Sequence, residues 1–146
     1  MAGNPLVKLG FINRLRGTLT FADFPELNVT APFLGRYGLN MAINGDVTQM
    51  LPQMVGQVQS QEVYLPVLVT VPLVKTTTLC NLYKKKWESD SNLGDCTFRG
   101  DATQLDPFDF TNCSIAHIDG LNAGGTVGTA TITVAGTYYV NLALWG

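Results

Sequence analysis

GTATITVAGTYYVNLAL, residues 128–144, decides how this chain is read. Its even positions Ala130, Ile132, Val134, Tyr138, Val140, Leu142 and Leu144 are apolar apart from one phenol hydroxyl. Its odd positions Thr129, Thr131, Thr133, Thr137, Tyr139 and Asn141 carry mostly hydroxyls, an amide and small groups. Successive side chains of a strand point to opposite faces, so this pattern predicts one face for a core and one for water. A two-residue turn at Gly136 would pair Ile132 with Tyr139 and Val134 with Thr137, mixing the two faces. Parity instead runs straight through the glycine, which predicts a single long strand with a bend or bulge there.

Seventeen extended residues span roughly 56 Å, whereas a compact domain of 146 residues is about 38 Å across. The strand is therefore expected to bend or to project from its own globule. It carries no charge, and a long uncharged strand rich in Thr, Tyr and Val aggregates when its edge is free. Pairing with another copy of the chain removes that hazard; a central strand of a monomeric sandwich is the alternative.

Composition narrows the function classes. The chain is 46% hydrophobic and only 14% charged, with a net charge of −2. Low charge suits a protein that buries much of its surface against other chains, and nothing in the balance suggests a general nucleic-acid clamp. The cations Lys75, Lys84, Lys85 and Lys86 cluster, and Arg99 is the last one in the sequence. Cys80, Cys96 and Cys113 are odd in number and His117 is the single histidine, so no zinc site is expected, and the cysteines read as three reduced thiols, with an intermolecular bond in a finished assembly as the open alternative. The start, MAGNPLVKLG, lacks the apolar run of a signal peptide, and Val63–Val74 is too short and proline-broken for a membrane helix. No insertion of this chain into a membrane is expected.

Outward from the closing strand, the rest reads as short β elements. Residues 1–16 suit an extended N-terminal arm. Gly17–Phe21 alternates as a short strand, Leu27–Thr30 resumes it, and Leu39–Ile43 is another, ended by the Asn44-Gly45-Asp46 turn signal. Val47–Ser60 is glutamine-rich and ambiguous: Leu51-Pro52 blocks a regular helix, and Met54–Val58 suits a strand with Gly56 inside. In Val63–Val74 every odd position is aliphatic, and Pro66 and Pro72 share the opposite parity. Both missing amides fall on one lateral side, which predicts an edge or a seam met by something irregular.

Residues 76–89, TTTLCNLYKKKWES, hold the expected α-helix, with Leu79, Tyr83 and Trp87 as its apolar stripe and a leading threonine as N-cap. Lys84, Lys85 and Lys86 near its end form either a solvated face or a docking strip for an acidic partner. A turn over Asp90–Asp95, a short strand Cys96–Arg99, an acidic loop Asp101–Asp109 and a strand Asn112–Ile118 complete the order.

No catalytic constellation is expected, and so no enzyme. There is no nucleophile-elbow motif, no phosphate-cradling glycine loop and no metal-ligand spacing. His117 suits a structural histidine, and Asp106 and Asp109 are simplest as solubilising loop acids. No cofactor is implied.

Four stretches carry a family resemblance. The strand running into a lysine and a helix (LVTVPLVKT, 68–76), the Val55-Gly56 and Ser60 segment before it, FTNCSI (110–115) and AGTYYVNLALW (135–145) resemble the tail tube protein of contractile-tailed bacteriophages. The similarity runs from about Gly17 onward. It implies a mainly β fold, a two-sheet sandwich or barrel with one flanking helix. It also implies hexameric rings stacked into a virion tail tube, assembled in the bacterial host cytoplasm, through which double-stranded DNA and a tape-measure protein pass. The type VI secretion tube and contractile bacteriocin tubes share that fold.

A DNA conduit should lack cations on its wall, because each neutralised phosphate retards passage. On that ground Thr129, Thr131 and Thr133 are the candidate lumen-facing residues, and Lys84, Lys85 and Lys86 the candidate contacts to a tail sheath protein. Thr137, Tyr139 and Asn141 are the candidate inter-subunit strand. Two rival readings remain: a monomeric β-sandwich binding module, and another ring or tube protein such as a tail terminator, a non-contractile tail tube or a secretion tube subunit.

Overall fold

The alternation of Val63–Val74 becomes an eleven-residue strand that anchors the molecule. In the computed structural model, which describes residues 12–102 and 104–145, the elements run β1 (Thr18–Phe21), β2 (Asn40–Ile43), β3 (Thr48–Pro52), β4 (Gln57–Gln61), β5 (Tyr64–Val74), α1 (Thr78–Ser89), β6 (Asn92–Arg99), β7 (Phe108–Asp119) and β8 (Thr129–Tyr139). Short 3₁₀ turns occupy Pro25–Leu27, Ala31–Phe33 and Leu142–Trp145. Six strands form one antiparallel sheet in the order β1-β6-β7-β8-β5-β2, and β3 and β4 pair separately as a two-stranded sheet. The fold is mainly β: a curled sheet, a small second sheet and one helix, sandwich- or barrel-like as expected. Most of the expected N-terminal arm lies outside the described residues.

Register converts the sequence parity into a core. Val69, Val71 and Leu73 of β5 lie opposite Val134, Ile132 and Ala130 of β8, all buried on one face. Leu19 and Phe21 from β1, at the far end of the sheet, join the same cluster. That closure requires curvature, and β7 supplies it with two irregularities. Asn112 and Cys113 together oppose Gly136, and Ala116 is an extra residue between the pairs Ile115–Val134 and His117–Thr133. Such bulges bend a strand and sharpen its twist. The first rests on Asn112 at φ 55°, a left-handed conformation that asparagine tolerates better than most residues.

The expected irregularity near Gly136 is thus present on the partner strand, while β8 itself runs through without a break. The glycine still matters. A Cβ built there would stand 2.8 Å from Cys113 Sγ, so the missing side chain is what lets the bulged thiol settle.

The prolines of β5 behave as their parity requires. Asn44 N–H donates to the Pro66 carbonyl at 2.9 Å and Gly35 N–H to the Pro72 carbonyl at 2.8 Å. In an antiparallel strand a residue's nitrogen and carbonyl face the same side, so both ring nitrogens face the β2 flank. There β2 pairs only with Val67–Thr70, between the prolines, and loops take over beyond them. It is a seam met irregularly, not a free edge.

Helix α1 covers the buried face through Leu79 and Tyr83. Thr77 occupies the N-cap position, but its hydroxyl donates back to the Val74 carbonyl at 2.7 Å instead of capping the helix. Tyr83 is fully buried, and its hydroxyl donates to the Leu27 carbonyl at 2.8 Å, tying the helix to the first 3₁₀ turn. Burial holds this phenol well above the ordinary tyrosine range, which keeps it a donor at neutral pH. Tyr83→Phe leaves a buried carbonyl without a partner and should cost about 1–2 kcal/mol in urea unfolding. An unchanged midpoint would mean that Leu27 finds another donor.

Candidate assembly surface

The closing strand is shorter than its pattern, paired along its whole length with β5 and over Thr131–Thr137 with β7. β8 ends at Tyr139, and its eleven residues span roughly 36 Å, so it does not outrun the domain. It lies between β5 and β7 and is hydrogen-bonded on both flanks within the chain. The expectation that its partners come from neighbouring copies is corrected on this point. Thr137 pairs with Pro66 and Thr111, and Tyr139 pairs with Tyr64. Asn141 leaves the strand at φ 51°, and a 3₁₀ turn follows where alternation predicted more strand.

Asn141 has a different task. Its side-chain amide donates to the Val47 carbonyl at 3.2 Å and the Glu62 carbonyl at 2.7 Å. Those two residues flank the β3–β4 hairpin and are themselves joined by Glu62 N–H donating to Val47 O at 2.9 Å. Next to this clamp, Val140 N–H donates to Val63 O. The end of β8 therefore fixes the base of the hairpin.

That hairpin is the most unusual surface on the molecule. Gly56 lies in its turn, where Gln53 N–H donates to Gly56 O at 2.7 Å, and not inside a strand as expected. Every residue of β3 and β4 is exposed. Residues 47–61 contain no ionisable side chain, while Met50, Leu51 and Val58 face solvent and the tip residues Met54 and Val55 are fully exposed, Val55 at 97%. Tyr64, Tyr139, Leu142 and Trp145, all substantially exposed, lie near its base, with Trp145 edge-on to Tyr139. Over half of the exposed large apolar side chains among the described residues belong to this end. A two-stranded ribbon is marginal alone in water, so such a ribbon is suited to being covered.

Opposite the core, the sheet presents an open face. Thr129, Thr131 and Thr133 lie on it, half-buried, beside Val74, Pro72 and Thr70 of β5. Thr131 and Thr133 are also beside Asp119 and His117 of β7. The face carries hydroxyls, prolines and aliphatic groups, with His117 and Asp119 on its β7 side, and neither lysine nor arginine on β5, β7 or β8. His117 is not a core histidine: the extra residue Ala116 turns it outward into solvent.

The lysines do not form one uniform strip. Lys84 is paired with Glu88 at 2.8 Å, and Lys86 stands 3.9 Å over the Phe24 ring, leaving Lys85 pointing to water. Both engagements are the kind a solvated helix face makes. Lys75 instead donates to the Asn122 carbonyl at 2.6 Å.

Two features escaped the sequence reading. One is the hairpin, whose turn has none of the usual Asn-Gly or Asp-Gly pairs. The other is a groove of about 810 Å³ between the start of β2 and the β6–β7 end, lined by Arg14, Arg36 and Arg99 with Asp101 as its acid. These arginines lie far apart in sequence, so only the curl of the sheet gathers them. Among the described residues there is no cluster of His, Cys, Asp and Glu fit to hold a metal, and no helix long and apolar enough to cross a membrane.

No protein-family model and no curated protein is similar to this chain. The functional reading therefore rests on the surface itself and on the local patterns of the sequence.

Proposed function

We propose that the chain is a structural subunit that assembles with copies of itself into stacked rings, forming a hollow tube of the phage tail-tube kind. The observation that carries this reading is the uncharged, wholly exposed β3–β4 hairpin. A second copy supplies what such a ribbon lacks: a surface of the same low charge against which Met54 and Val55 are removed from water. The open threonine face lends further support. A wall of hydroxyls and prolines without lysine or arginine gives passing DNA no phosphate contacts to break. The four sequence stretches that resemble tail tube proteins point the same way. On this reading the ring is hexameric, the passing cargo is double-stranded DNA and a tape-measure protein, and a sheath surrounds the tube on the α1 side.

A monomeric β-sandwich binding module is the second reading, favoured by the central place of β8 between β5 and β7 and by the arginine groove. The two separate in one experiment. Electron microscopy with sedimentation velocity on purified protein should find rings or hollow fibres that grow with concentration. A single species of monomer mass across the accessible concentrations would overturn the tube reading and leave the binding module.

A further inference from the structure

Cys96 and Cys113 sit on neighbouring strands, β6 and β7, seventeen residues apart in sequence. Their sulfurs are 3.0 Å apart, and both residues are buried, at 3% and 0% exposure. This is not the ordinary packing of two core cysteines. The contact depends on the first β7 bulge, which pushes Cys113 off the regular ladder, and on Gly136, whose missing side chain leaves room for the sulfur. Gly94 opposes Cys113 where β6 is itself irregular, so Cys96 reaches across one register step. A covalent bond needs the sulfurs only about 1 Å closer. Cys80 lies on α1, half-buried, outside this pair.

We propose that Cys96 and Cys113 form an intramolecular disulfide when the protein meets a peroxide-class oxidant, stapling β6 to β7 beneath the bulge. The Cys113 thiolate attacks one peroxide oxygen, the O–O bond breaks, and the departing hydroxide takes a proton to become water. Cys113 is then a sulfenic acid. The Cys96 sulfur displaces its hydroxyl, the S–S bond forms, and the second hydroxide leaves as water with the Cys96 proton. Two thiols lose two electrons and two protons, and one peroxide becomes two waters. A water-sized oxidant suits a site that larger disulfides cannot enter. Either sulfur can donate across this contact; with Cys96 donating, that bond and then burial hold Cys96 above the ordinary thiol range and the same bond holds Cys113 below it, which favours this order.

The test is hydrogen peroxide applied to the native protein at low concentration, with thiols then counted in denaturant and the peptides mapped. Titratable thiols should fall from three to one, the intact mass should drop by two hydrogens, and the Cys96 and Cys113 peptides should be joined. Dithiothreitol should restore all three. Closing a loop of this size should raise the melting midpoint by roughly 6–12 °C over the reduced protein. Cys80→Ser should oxidise to a species with no free thiol, and Cys96→Ser should give no internal link. Three thiols persisting after conditions that fully oxidise the unfolded chain would overturn the proposal. So would a bond involving Cys80 or a second copy. None of these outcomes depends on whether the chain builds a tube.

Discussion

Met54→Asp combined with Val55→Asp should abolish assembly while leaving the fold intact. Both side chains stand at the hairpin tip in full contact with water, so a charge there removes no internal contact. The melting midpoint should stay within the range of an ordinary surface substitution, about 0.5 kcal/mol. In an assembled ring stack the same positions would be covered. Losing the burial of two apolar side chains removes about 3–5 kcal/mol per subunit contact, and excluding a carboxylate from water adds to that. At 1.4 kcal/mol per decade, the concentration needed for assembly should rise by at least about 100-fold. Sedimentation velocity would show monomer at concentrations where, on the tube reading, the parent protein assembles, and circular dichroism would show unchanged strands. Fibres of normal length from the double variant would place the contact elsewhere on the surface and remove the main support for the tube reading.

Gly136→Val should be the most damaging single change in the sheet. The first carbon of the new side chain would lie 2.8 Å from Cys113 Sγ, 3.4 Å from Phe110 Cβ and 3.7 Å from the Thr111 carbonyl. None of these can yield easily: Cys113 and Phe110 are buried, and Thr111 begins the bulge. Overpacking of this kind costs about 3 kcal/mol, a fall of roughly 6–12 °C in melting midpoint. The cause can be isolated. Gly136→Ala with Cys113→Ala puts a methyl where the sulfur was, so the double variant should be less destabilised than the sum of the two singles by more than about 0.5 kcal/mol. Additive losses would show that the thiol is not what the glycine accommodates.

These two positions also show how unevenly the structure was legible in the sequence. The period-two patterns of β5 and β8 identified the buried faces because burial on one side of a strand leaves its trace residue by residue. The stripe of Leu79, Tyr83 and Trp87 did the same for α1. What period cannot report is which strand lies next to which. The closing strand read as too neutral to live without outside partners, yet it is central, and its neighbours β5 and β7 come from other parts of the chain. Nor could alternation locate its end. Val140, Leu142 and Leu144 keep the parity, but Asn141 turns aside because two distant carbonyls hold its amide.

The candidate surface followed the same division. Thr129, Thr131 and Thr133 were placed on the side away from the core by parity alone, and there they lie. The hairpin turn, QMVG, offered no recognisable type, and the bulges of β7 involve ordinary residues whose irregularity exists only relative to β8. The arginine groove is a product of curvature, which no local window of sequence contains.

The Asn141 clamp sets an order of events during synthesis. The hairpin's base is held by a side chain that leaves the ribosome 79 residues after Glu62. Until then the ribbon has no anchor, and an isolated two-stranded ribbon scarcely persists. Its sticky tip is thus fixed in a single orientation only when the last strand has docked and the body is complete. On the tube reading, a nascent chain could not offer its copies a finished contact before it had finished folding, so polymerisation would wait until the building block was whole.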